Sequence, residues 1–272
     1  MKISEINIYP VKSLRGIAVD SAAIEDRGLK LDRRWIIVDA KRKFLTQREF
    51  PVMAAIEVAV DGEKLTASHG GSSVTVPFEP DAGDAMNVTV WTSSVKAKPN
   101  SVEVNDWLSQ ILGIECSLFT MTKLSKRIVN PFYAVRKFDD QLSFADGYPF
   151  MLIGQASHDD LNSRLDLPVP MNRFRPNFVV SGSEPFAEDT WKRVRIGDNV
   201  FHVVKPCERC VMPTIDQSAG VKTGLEPLKT LASFRTKNGK VLFGQNLIAE
   251  RPGGTISIGD EVEVTEAKQP IA

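Results

Sequence analysis

The chain is dominated by short apolar runs at strand spacing. Ile3, Ile6 and Ile8 begin one at roughly period two, which ends at Tyr9-Pro10. Trp35-Ile36-Ile37-Val38 is a compact apolar run, and Asp39-Ala40-Lys41 turns it into a second strand through Phe44-Leu45-Thr46, which predicts a hairpin. Runs at 54–60, 65–67 and 73–78 continue the pattern, separated by Asp61-Gly62 and Gly70-Gly71. In the C-terminal half, 194–196 and 200–204 flank Gly197-Asp198-Asn199, a strong hairpin signal. Residues 241–249, 255–258 and Val262 with Val264 follow as further strands.

Helical spacing is rarer. Val104, Trp107, Leu108, Ile111 and Leu112 recur at three and four, and Gly113 supplies a stop. Ser157-x-x-Asp160 reads as a capping box opening a helix through Leu161 and Leu165. Leu228, Leu231 and Phe234 make a third, with Pro227 where an early-turn proline is tolerated. Few helices among many strands predict a β-rich α+β fold in two connected parts, with a seam between about 100 and about 150.

Composition narrows the function classes. With 34 basic and 34 acidic residues, the 272-residue chain carries no net charge that points to nucleic acid or a membrane surface. Any anion site must therefore come from local clustering. No segment approaches the ~20 apolar residues of a membrane span, and the N-terminus lacks the apolar run of a signal peptide. Three cysteines are too few for a disulfide scaffold, so the expected compartment is the cytoplasm.

Two of those cysteines stand in Lys205-Pro206-Cys207-Glu208-Arg209-Cys210. Half of a zinc site, a redox dithiol, two ordinary half-buried thiols and a single metal-binding thiolate are all compatible with that spacing. Zinc wants four ligands, and no second C-x-x-C exists. A redox dithiol wants a helix after the pair, where Val-Met-Pro-Thr follows instead. A lone thiolate would be favoured by Lys205 and Arg209 if they point at it, but it needs a cofactor with anchors elsewhere. Such anchors recur at strand ends: Lys12 and Ser13, Arg33 and Arg34, Arg48, then Arg173 and Arg175. Guanidinium forks and a lysine point charge suit phosphate. Asp146-Gly147 precedes another apolar run and reads as a turn or as a pocket wall.

Taken in order, Tyr9-Pro10-Val11-Lys12-Ser13, Asp32-Arg33, Phe174-Arg175-Pro176-Asn177, the cysteine motif with Thr214 and Asp216, and Phe243-Gly244-Gln245-Asn246 resemble the landmarks of MOSC-domain proteins with an N-terminal MOSC-associated β-barrel. The chain resembles bacterial MOSC reductases of N-hydroxylated compounds and, more distantly, the mitochondrial amidoxime-reducing components. The resemblance implies two connected β-barrel-like domains with a few short helices. The MOSC N-terminal domain would span residues 1–120 and the MOSC domain 121–267, with residues 1–35 available to pack against the second. It also implies a molybdenum cofactor, molybdopterin with a terminal phosphate, ligated by Cys210 rather than Cys207. Lys12, Ser13, Arg33, Arg175 and Asn177 fall on family positions that hold phosphate and pterin. Asp146 and Gly147 fall on a segment lining the metal, with Asp146 as a pocket wall or proton relay, and Arg209 lies within the ligand motif.

The activity so implied is reduction of hydroxylamines, amidoximes and N-hydroxylated base analogues, with two electrons and two protons consumed and water released. The alternative is a carrier or sulfur-transfer protein for the same cofactor. Glu208, Tyr148 and Asn246 differ from the mitochondrial residues at their positions, which bears on substrate scope rather than on the ligand. No cysteine follows Cys210, so no iron–sulfur cluster is expected in this chain. Electrons are expected from a separate ferredoxin-like or flavoprotein donor.

Overall fold

The computed structural model describes residues 1–62, 64–80 and 83–269. The fold is α+β and β-rich, with three α-helices among the described residues. One sheet has nine strands. Its order is Ile17–Ala18, Lys2–Ile8, Phe178–Ser181, Phe150–Gly154, Lys240–Ala249, Asn199–Glu208, Trp191–Ile196 and Val262–Ala267, with Thr236–Lys237 beside Lys240–Ala249. At its centre Phe150–Gly154 runs parallel to Phe178–Ser181. These two strands are apolar without alternation because both of their faces are buried. Phe150, Leu152, Phe178 and Val180 enter one core with Ile6, Phe201 and Leu247. Met151, Ile153 and Val179 enter the other with Phe174, Leu231 and Phe243.

A second body is built the same way. Trp35–Asp39 leads a four-stranded sheet with Cys116–Met121, Ser93–Pro99 and Met86–Val90. Trp35 and Ile37 face a core shared with the helix Val102–Leu112, while Ile36 and Val38 face another with Val88 and Phe144. Glu57–Asp61, Lys64–His69 and Ser72–Pro77 form a meander that closes the helix-bearing core. Ser101 caps the helix by accepting from Val104 N–H, and Gly113 ends it in the left-handed conformation.

The chain crosses between the bodies near its start. Lys2–Ile8 pairs antiparallel with Phe178–Ser181, and Ser21–Glu25 pairs with Thr255–Ser257. Residues 9–13 then pass to the other body, where Val11 bridges Trp35 and Lys12 N–H donates to the Trp35 carbonyl. This crossover places Lys12 and Ser13 at the junction.

Three local expectations fail. The second hairpin strand through Phe44-Leu45-Thr46 does not form, and Phe44 makes only an isolated bridge to Val38. Ser157 does not open its helix: Gln155–Ser163 starts at Gly154, and Ser157 Oγ donates to Glu188 while accepting from Phe186 N–H. A buried partner 31 residues away takes the hydroxyl that a cap would use. The run at 54–60 opens as a 3₁₀ turn over Pro51–Ala55, with proline in its first turn, and becomes a strand only at Glu57. The hairpin after Ile196 is present, with Ile196 paired to Asn199 around Gly197-Asp198.

Candidate functional site

A cavity of about 680 Å³ opens between the two bodies. Lys12, Ser13, Arg33, Asp146, Gly147, Arg175, Asn177, Arg209 and Cys210, the residues singled out by sequence, all line it. Three of them share an unusual backbone. Ser13, Arg33 and Arg175 have φ of 69°, 52° and 57°. The left-handed region costs a non-glycine residue about 1–2 kcal/mol. Strain of that size concentrates where side chains must be aimed rather than merely packed.

The basic end is built on Tyr9. Its hydroxyl donates to the Pro176 carbonyl at 3.0 Å. The guanidiniums of Arg33 and Arg175 lie 4.4 and 4.2 Å from its ring centre. Arg33 is held by buried Asp32 at 2.6 Å and by Asn177 Oδ1 at 3.4 Å. Burial works against the Arg33 charge, but Asp32 outweighs it and raises the pKa. Arg175 has no such counterion. It donates to Gln217 Oε1 at 3.2 Å, and among the described residues no other acceptor meets its side chain. Burial lowers its pKa to about 10. Lys12 is 6% exposed, donates to the Phe144 carbonyl at 2.8 Å and pairs with Asp146. Burial still lowers its pKa to about 8, although Asp146 pulls the other way.

Asn177 spends its amide within the fold, donating to the Asn7 carbonyl and accepting from Met151 N–H, so it positions strands and Arg33 rather than presenting free groups. Ser13 Oγ meets no protein partner among the described residues, while its carbonyl accepts from Gln47. A Cβ built on Gly147 would meet nothing within 4 Å, so that wall of the cavity is open.

The thiol end is asymmetric. Cys210 is exposed to the cavity, whereas Cys207 is half-buried against the core containing Met151, Phe174 and Phe243. Burial pushes the Cys207 thiol pKa up. The expectation that Arg209 and Lys205 point at Cys210 is corrected. Arg209 turns inward and donates to the carbonyls of Phe243 and Phe174 at 2.8 and 2.9 Å. Adjacent residues of an extended segment face opposite ways, so sequence proximity to Cys210 gave no contact. Lys205 pairs with Glu208 at 2.7 Å and lies over Tyr133.

The cation at Cys210 is Arg48, from the other body. Its Nε lies 3.4 Å from Cys210 Sγ, and its Nη2 donates to Asp146 at 3.1 Å. Trp91 adds an indole donor to Asp146 at 3.2 Å, and Arg48 packs over the Trp91 ring. Burial disfavours the Asp146 charge, but Lys12, Arg48 and the Trp91 hydrogen bond outweigh it and hold the carboxyl well below the usual carboxylate range. Arg127 pins the loop beneath by donating to the carbonyls of Ser143, Ala145 and Asp146.

Arg48, Trp91 and Arg127 carry much of this geometry, and sequence reasoning missed their roles. Arg48 had a signal, a basic residue at a strand end. Trp91 had none, because its relevance depends on the docking of the two bodies, and Arg127 had none, because the carbonyls it serves come near it only when the stretch from 127 to 146 folds back.

Phe243-Gly244 also finds its reason. Gly244 has φ 76°, and a Cβ there would lie 2.7 Å from Ile153 Cγ1, 2.9 Å from the Leu152 carbonyl and 3.2 Å from Arg209 Nη2. Glycine lets Arg209 thread past the strand. Among the described residues no group of three or more His, Cys, Asp and Glu side chains converges on a metal position. What converges is one exposed thiol, a fixed carboxylate and under-neutralised cations. That set suits a cofactor bringing its own metal and an anionic tail.

Comparison with known proteins supports the family resemblance read from the sequence. The family model of the MOSC N-terminal beta barrel domain matches residues 1–115, and that of the MOSC domain matches residues 139–263. Mitochondrial amidoxime-reducing component 1 of Mus musculus and of Homo sapiens are each 32% identical over 96% of the chain, which spans 81% and 82% of their lengths. The molybdenum cofactor sulfurase of Oryza sativa subsp. japonica is 35% identical over 89% of the chain, which spans 32% of that larger protein.

Proposed function

Because the chain belongs to the MOSC family and carries its N-terminal β-barrel domain, we propose that it is a molybdenum-cofactor-dependent reductase of N-hydroxylated compounds. The observation that carries this reading is the meeting, in one cavity, of an exposed Cys210 thiol from one body with the buried cations Lys12, Arg33 and Arg175, the two arginines on left-handed backbone and Arg175 without a counterion. When bound, the cofactor supplies the two-electron exchange that cleaves an N–O bond.

The residues divide the remaining work. Arg175, Lys12 and Arg33 take the anionic tail, and Arg175 has the most unused donors. Ser13 Oγ is available to donate to the same group. Cys210 is the thiolate ligand, with Arg48 as its counter-cation. Cys207 supports from the core side. Asp146, tied to three donors and held ionised, acts as a fixed wall that orients Lys12 and Arg48. A carboxylate so acidic is a poor proton donor near neutrality, so protons reach the substrate from water at the open Gly147 side. Electrons come from a separate donor protein, and the substrates are hydroxylamines, amidoximes and N-hydroxylated bases.

A second reading, a carrier or sulfur-transfer protein for the same cofactor, draws on the similarity to molybdenum cofactor sulfurases and on the exposure of Cys210. Feeding the cofactor-loaded protein electrons from a chemical donor separates the two. Turnover of hydroxylamine or benzamidoxime is expected, and loaded protein inert with every donor would favour the carrier.

A further inference from the structure

Arg173 and Arg175 are both buried, both line the cavity, and meet different acceptors. Two successive residues of another segment receive them. Asp216 accepts from Arg173 at 2.9 Å, and Gln217 accepts from Arg175 at 3.2 Å. The carboxylate cancels the first charge. The amide holds the second guanidinium without cancelling it, and an uncancelled guanidinium is the better partner for phosphate.

Gln217 is held in turn by an amide from the other body. Gln47 and Gln217 are both buried and exchange two hydrogen bonds of 3.1 Å, each Nε2 donating to the other's Oε1. Their other contacts fix both amides in one orientation. A guanidinium only donates, so Gln217 must turn its oxygen to Arg175, while its Nε2 donates to the Ile215 carbonyl at 3.3 Å. The Ser13 carbonyl only accepts, so Gln47 must turn its nitrogen to it, at 2.8 Å. A chain of directed bonds thus links the Arg175 guanidinium, through both side chains, to the backbone of Ser13. Arg175 and Ser13 both stand on left-handed backbone, which persists where the surroundings over-determine it.

Docking of the segment does not depend on the pair. Arg15 donates to the carbonyls of Gln217 and Ser218 at 3.2 Å each. Two buried amides also cost desolvation that an apolar pair would avoid. We propose that Gln47 and Gln217 are positioning residues of the anion end: the pair sets Arg175 and Ser13 in register across the two bodies, and the neutral amide at 217 reserves the Arg175 charge for a phosphate group. This rests on the reading of the cavity as a cofactor site and names the device that aims its phosphate grip.

The test titrates inorganic phosphate into the full-length chain freed of bound pterin, by calorimetry at pH 7, with urea unfolding to establish that each variant is folded. Wild type should bind with Kd of about 5 mM or tighter. Gln217→Glu keeps an acceptor for Arg175 but cancels its charge, and should weaken phosphate at least about tenfold. Gln47→Met and Gln217→Met should each weaken it about threefold or more, and the double variant by no more than about twofold beyond the worse single one, because the two act as a unit. Asp216→Asn, which frees Arg173, should not weaken it. Pterin retained through dialysis of the protein as purified should fall in the same order. Folded Gln217→Glu that binds phosphate like wild type, indifference to both methionine variants, or Asp216→Asn weakening phosphate as much as Gln217→Glu would each overturn the proposal. Wild type that binds no phosphate up to about 20 mM would overturn the anion end and the proposal with it. Phosphate bound by a chain that purifies without pterin would sink the cofactor reading and leave the amide pair in place.

Discussion

Lys12→Met is the perturbation whose outcome the geometry fixes most closely. The Lys12 ammonium is 6% exposed, and burial lowers its pKa from 10.5 to about 8 against the pull of Asp146. At about 1.4 kcal/mol per pH unit, that distance is worth about 3 kcal/mol of strain on the folded state at neutral pH. The sign follows from proton counting. Below about pH 8 both states hold the proton and the folded state bears the whole cost. Between about 8 and 10.5 the folded state sheds its proton first, the unfolded state binds more, and stability climbs with pH. Methionine keeps the stem and removes the charge. It also leaves the Phe144 carbonyl without its donor, a loss of about 1 kcal/mol. Urea unfolding of wild type and variant at pH 7 and pH 10 isolates the effect, since the raised tyrosine pKa values are common to both proteins. The stability difference, wild type minus variant, should move by about 2–3 kcal/mol in favour of wild type between those pH values. A difference that stays constant across the range would refute the reading of Lys12 as a costly charge kept for an anion.

Two further outcomes follow from the same wall. Gly244→Ala should destabilise the protein by about 2–3 kcal/mol in urea unfolding, because the new methyl meets the Leu152 carbonyl and a left-handed backbone. Arg209→Gln should cost about 2 kcal/mol by orphaning the carbonyls of Phe174 and Phe243, whereas Arg48→Gln should cost below about 1 kcal/mol yet lower cofactor retention. The reverse ranking, measured by unfolding and by metal content, would restore Arg209 as the partner of Cys210.

The fold class was readable from local pattern, and the membership of the cavity from local pattern together with the family resemblance, which alone pointed to Asn177 and to Cys210 over Cys207. The apolar run 151–153 was visible in the sequence, and the structure makes it part of a strand buried on both faces. A basic residue just past one strand marked Lys12, and arginines just before two others marked Arg33 and Arg175, as candidates before any contact was visible. Side-chain direction was not readable. Arg209 stands beside Cys210 in sequence and turns the other way, because the carbonyls it serves belong to distant segments. Ser157 looked like a cap for the same reason: nothing near it in sequence announces Glu188. Arg48 and Trp91 reach Cys210 and Asp146 only through the docking of the two bodies, so local pattern carries no trace of that meeting.

Molybdenum and pterin analysis of the purified protein tests the central claim most directly. The account predicts molybdenum and pterin together, at up to about one each per chain, retained in Cys207→Ala and lost in Cys210→Ala with folding unchanged. Stoichiometric zinc without pterin, or equal loss of molybdenum in the two cysteine variants, would contradict it.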